Sequence, residues 1–277
     1  MAAPEDRFAA LARALVADPA HPVDLAEAAL LVAADHRPGL DVSAQLARLD
    51  ALADGARPTV LAAWSDAARV EALNRFLFQH EGFRGNTEAY EDPRNSLFDC
   101  VLERRTGLPI TLSLVYLEVG RRLGLPVEGI GFPGHFLVRW RGRADVVVDA
   151  FHGRILDDRA LAAMLRSALG RDVPFSRMEL RPIAPRDFLV RLVSNLKRHT
   201  ALAGDFEATL RCCERLLQLR PDDPEELRDR GLVLAQLECV EPARDDLARF
   251  LALAPDHPSA PAVQARLHEL HRPRVLH

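Results

Sequence analysis

Apolar residues in the first eighty positions recur at intervals of three and four. Leu25, Ala28, Ala29 and Val32 make one stripe, Leu46, Leu49 and Leu52 a second, and Val70, Leu73, Phe76 and Leu77 a third. That spacing puts side chains on one face of an α-helix. Asp24 with Glu27 forms a capping-box pattern before the first stripe, Asp41 stands where it caps the second, and Gly55 is expected to stop that helix. The run GluGlyPheArgGlyAsnThrGluAlaTyrGluAspProArgAsnSer at 81–96 breaks the periodicity and reads as a turn-rich loop. It carries Phe83, Arg84, Asn86 and Asn95. These residues either line a cleft or serve the helices that follow, with Asn95 or Ser96 as N-cap to a helix ending near Arg105.

The pattern then changes. Leu112, Val115, Tyr116, Val119 and Leu123 share a helix face, and Leu114 and Leu117 make the other side apolar too. A helix apolar all round belongs inside the molecule. Pro109 suits its first turn, where a missing N–H costs nothing, and Gly124 suits a left-handed end. Two apolar runs follow, HisPheLeuValArgTrp from 135 and AspValValValAspAla from 145, separated by a short turn near Gly142. They read as a β-hairpin. A turn centred on Gly142 puts His135 opposite Asp149, with Cβ atoms roughly 4.5–5.5 Å apart. A slip of one residue would send them to opposite faces. An imidazole held by a carboxylate is either a general base with its orienter or a structural pair. His152, in AspAlaPheHisGly, reads as a turn residue beside this pair.

From about residue 181 the chain is helical again. ArgLeuLeuGlnLeuArgProAspAspPro at 215–224 returns as ArgPheLeuAlaLeuAlaProAspHisPro at 249–258, a period of 34 residues. That is the tetratricopeptide period. Gly231, Leu234, Ala243, Leu247 and Pro255 occupy the small and large positions such a unit packs with. About three units are needed to bury a continuous face, so two recognisable copies must lean on the first domain or on a partner. Their role is either to hold a peptide or protein or to buttress the fold.

AsnSerLeuPheAspCysValLeuGluArgArgThrGlyLeuProIleThrLeuSer, ProGlyHisPheLeuValArg and ArgAspArgGlyLeu occur in that order. Together they resemble the SirB-like proteins, which join a transglutaminase-like domain to tetratricopeptide repeats; the likeness spans about residues 20–270. It implies an α+β chain: a helical N-terminal region at 1–90, a transglutaminase-like (papain-like) core at 91–180 with a small antiparallel sheet on a central helix, and a repeat region at 181–277. In the transglutaminase-like family a GxC motif opens the buried helix, and Cys, His and Asp act as nucleophile, base and orienter. Aligned on Gly124, Leu125 and Pro126, that motif falls on Gly107, Leu108 and Pro109. His135 and Asp149 match the other two members, and Pro109 stands in place of the cysteine.

Other nucleophiles must then be weighed. Cys100 lies nine residues before Pro109 in a helical stretch, and only folding brings it to His135; the bland reading is a small apolar core residue. Thr111 and Ser113 sit in the first turn of the central helix, where capping or packing competes with chemistry. Without a nucleophile, His135 and Asp149 can at most activate water. Two readings follow: a non-catalytic protein that binds a protein or peptide partner through the cleft or the repeats, and an acyl transferase or peptide hydrolase with a displaced nucleophile, Cys100.

Composition narrows the partners. The chain has 277 residues, 48% hydrophobic and 27% charged, and a net charge of -4. Its arginines are interleaved with acidic residues, so no nucleic-acid surface is implied. No apolar run reaches transmembrane length and the start lacks a signal-peptide pattern, so a cytoplasmic protein without membrane partner is expected. Four cysteines, two of them adjacent at Cys212 and Cys213, do not form a disulfide framework. No Cys or His pair has metal-ligand spacing, so neither metal nor other cofactor is expected.

Overall fold

The computed structural model describes residues 4–143 and 145–271. Four helices open the chain: α1 (Pro4–Ala17), α2 (Leu25–His36), α3 (Val42–Leu61) and α4 (Asp66–Asn74), the last running into a π-helical turn over Arg75–His80. Asp24 and Asp41 cap α2 and α3, accepting from Glu27 N at 2.9 Å and Ala44 N at 3.0 Å. Gly55 does not stop α3, which continues through it and through Pro58 to Leu61. Its lack of a side chain serves close packing instead, because a Cβ there would lie 3.0 Å from the Phe76 ring.

Next come β1 (Arg84–Gly85), α5 (Phe98–Arg104), β2 (Thr106–Gly107), which pairs in parallel with β1, and α6 (Pro109–Arg122). Leu112, Leu114, Val115, Tyr116 and Val119 on α6 are all buried, as the all-round apolar pattern requires. Thr111 Oγ1 accepts from Leu108 N at 2.9 Å and closes the first turn. Gly124 follows the last turn with φ of +71°. No side chain caps α5: its N-cap is Leu97, and neither Asn95 nor Ser96 holds that place.

The sheet is antiparallel in the order β3 (Val127–Phe132), β4 (His135–Arg141), β5 (Asp145–Asp149), β6 (Arg154–Leu156). Alternation along the strands gives it two apolar faces. Phe136, Val138, Trp140 and Val148 join the main core around α6, whereas Ile130, Leu137, Val147 and Leu156 pack on Leu161 and Leu165 of α7 (Asp158–Leu169). Five helices complete the chain: α8 (Pro185–Leu202), α9 (Phe206–Leu219), α10 (Pro224–Gln236), α11 (Val240–Leu253) and α12 (Ala260–His271). Phe188, Leu192 and Leu196 of α8 and Cys212, Leu216 and Leu219 of α9 belong to the same core as Phe8, Ala12 and Leu15 of α1. Arg215 secures the contact, pairing with Asp35 at 2.6 and 2.7 Å and lying over the Phe8 ring. The N-terminal helices thus cover the α8–α9 end of the repeat region.

Candidate functional site

β4 opens on His135 and β5 closes on Asp149, so both side chains emerge at one end of the sheet. The hairpin centres on position 143, not on Gly142: Val138 faces Val148 and Arg141 faces Asp145. His135 and Asp149 are therefore diagonal rather than directly opposed. A shift of two residues between partners preserves the face, because side chains alternate with period two. The imidazole spans the diagonal, and His135 Nε2 lies 2.9 Å from Asp149 Oδ1.

Asp149 is wholly buried and collects more than one imidazole. Its Oδ1 also accepts from the backbone N–H groups of Phe151 (3.2 Å) and His152 (3.3 Å), and its Oδ2 lies 2.6 Å from His152 Nδ1 and 3.4 Å from Arg154 Nε. Burial pushes this carboxyl upward, but hydrogen bonds and charge from His135 and His152 outweigh it and bring the pKa down to about 2. The group is a carboxylate at any physiological pH. The two imidazoles stack at 6.0 Å, and Phe151 meets both edge-on.

Those aromatic contacts bring in the 81–96 loop. Gly85 N donates to Phe151 O at 3.0 Å, and a Cβ on Gly85 would fall 2.6 Å from the Phe151 ring. Tyr90 packs edge-on against Phe151 and against His199 of α8. Asn95 fastens the loop: its amide donates to the Ala89 and Tyr90 carbonyls and its oxygen accepts from Asn86 Nδ2. Phe83 is buried beneath the Arg105 guanidinium, and Arg84 pairs through its backbone in β1. From the other side, Arg191 of α8 donates to the Phe132 and His135 carbonyls and lies over the Phe136 ring.

His135 thus bonds a wholly buried carboxylate at one end of a sheet whose β4 packs against the buried helix α6. The family model of the transglutaminase-like superfamily matches residues 43–194. The chain belongs to that superfamily. A tetratricopeptide-repeat model matches residues 196–268. Among curated proteins, a UPF0162 protein of Xylella fastidiosa (strain 9a5c) is 40% identical over 258 residues, 91% of each chain. A UPF0162 protein of Pseudomonas aeruginosa is 33% identical over 92% of this chain and 95% of its own, and Protein SirB1 of Salmonella typhimurium is 29% identical over 77% and 80%. The chain is a member of this SirB-like group. No solved structure matches.

Within the transglutaminase-like domain the helix-opening position belongs to Pro109, in the first turn of α6. Thr111 Oγ1 is engaged with Leu108 N and with Asn95 O (2.9 Å), and the buried Ser113 Oγ has no hydrogen-bond partner among the described residues. Cys100 is buried on α5, its sulfur 3.0 Å from Arg37 Nη1 and against Asp99. Burial and the Asp99 charge push its thiol up, the reverse of what a thiolate nucleophile needs. The ring contacts of His135 are with Asp149, Phe151 and His152. His152 is more than a neighbour in a turn, since it holds the second carboxylate oxygen. The signal for it was short-range: an aspartate three residues upstream in a turn, where such side chains bond the local backbone. Arg191 gave no signal, being 56 residues from the carbonyl it holds.

Proposed function

We propose that this chain is a non-catalytic member of the transglutaminase-like superfamily that binds a protein or peptide partner, through the surface around His135 and His152 or along its repeats. One observation carries the reading: among the described residues, no side chain of the three nucleophile candidates bonds the His135 ring, and the only nearby thiol in sequence, Cys100, is tied to Arg37 and Asp99. A His–Asp pair that has kept its carboxylate but not its thiol is expected to present surface rather than form an acyl-enzyme. The repeats support a binding role in general, because stacked helix pairs offer an extended face. Among the described residues no helix is long and apolar enough to cross a membrane, and the four cysteines are free thiols, which fits the cytoplasm.

The test is chemical. Iodoacetamide should label Cys100 no faster than an ordinary buried cysteine, with the same rate in His135→Ala. Rapid labelling that depends on His135 would overturn the proposal and make the chain an enzyme with a displaced nucleophile. A second reading, weak hydrolysis by activated water, draws on one feature: His135 Nδ1 has no hydrogen-bond partner among the described residues while Nε2 is held by an ionised carboxylate. Steady turnover of a model thioester, abolished in His135→Ala, would favour it.

A further inference from the structure

We propose that His135, Asp149 and His152 form a binding site for one divalent first-row transition cation, zinc foremost. The three donors come from the start of β4, the end of β5 and the turn after it, and one ligand atom from each lies within 4.8 Å of the others. Two imidazoles and one carboxylate are a donor set for zinc, iron or nickel, whereas magnesium and calcium take oxygen ligands. Three protein ligands also leave coordination positions open for water or for a partner's side chain.

The surroundings suit a ligand set. The Phe151 and His152 backbone N–H groups fix the Asp149 carboxylate, which is how outer hydrogen bonds aim a metal ligand. The inward ring nitrogens are His135 Nε2 and His152 Nδ1, and the outward ones, His135 Nδ1 and His152 Nε2, have no hydrogen-bond partner among the described residues. A neutral imidazole can therefore move its proton outward and offer the inward lone pair to a cation. His135 and Asp149 sit on strands. His152, whose side chain is 47% exposed, is the member free to adjust to metal–nitrogen distances of about 2.0–2.1 Å. One group opposes the cation: Arg154, 3.4 Å from Oδ2, is 54% exposed and must swing outward.

The spacing rule missed this set because its donors are 14 and 3 residues apart and only the hairpin unites them. The site is independent of whether His135 does chemistry, so the labelling experiment above and the following one fail separately. Zinc chloride is titrated calorimetrically into the chelator-treated full chain, and cobalt(II) is followed by its visible absorption. One site per chain is expected. His152→Ala and His135→Ala should each weaken zinc by more than the roughly 10–100-fold that loss of an outer-shell partner costs, and Arg154→Ala should bind at least as tightly as wild type. His268→Ala/His271→Ala, on α12, should not change the affinity. His152→Ala is an exposed turn substitution whose fold is checked by circular dichroism, and His152→Gln repeats the test with a bulkier side chain. Absence of binding in wild type, or affinity unchanged in both His152 variants, overturns the proposal.

Discussion

Asp149 is a buried charge whose worth depends on its donors. Because its folded pKa is depressed, to about 2 from an ordinary 3.8, its contribution is present above pH 4 and is lost as pH falls toward 2. That contribution is on the order of 2 kcal/mol. Urea titrations from pH 6 to pH 2 should show this loss in wild type and a smaller one in Asp149→Asn. Asp149→Ala should cost about 1.5–3 kcal/mol at neutral pH, since two imidazoles and two backbone N–H groups lose their acceptor. The pairing with His135 was legible in sequence because both residues stand at the ends of apolar strand runs, and a register error of two positions leaves them on the same face. The environment of Cys100 was not: its partner Arg37 is 63 residues away, and no local pattern reports a contact at that range.

At the scale of elements, local signals held where nothing competed with them. Asp24 and Asp41 cap their helices because a cap needs only its own first turn. The stop expected at Gly55 failed because packing against Phe76 favours a continuing helix there, and tertiary contact outweighs a propensity of about 1 kcal/mol. α6 is the element on which the rest depends. Leu112→Ala should cost about 2–5 kcal/mol in chemical denaturation, and a loss below about 1 kcal/mol would show that the helix tolerates a cavity there. Gly85→Ala tests the loop: a methyl group 2.6 Å from the Phe151 ring must displace it. The His135 and His152 ring resonances, which lie against Phe151, should shift in NMR spectra, and unchanged shifts would show that Phe151 yields without disturbing them.

For the whole molecule, the 34-residue period announces the repeats but not where they lean. α8 and α9 complete the core begun by α1 and α2, while Leu227, Leu247, Phe250 and Val263 form a separate cluster farther along. A chain ending at Asp222 should therefore keep a cooperative unfolding transition, whereas one ending at Ala184 should lose it by uncovering Phe8 and Leu15. Two cooperative products, or none, would contradict this shared core. The sheet carries one more consequence. Its β3 edge is closed by the Ile130–Pro182 bridge and by Ile183 N donating to Gly129 O, and its β6 edge is three residues long. Neither margin offers a row of free amides and carbonyls long enough to recruit an extended peptide as an extra strand. On the proposed binding role, a partner of this domain is read through side chains, by shape and charge, and scrambling its sequence should abolish binding where a backbone-reading receptor would tolerate the change.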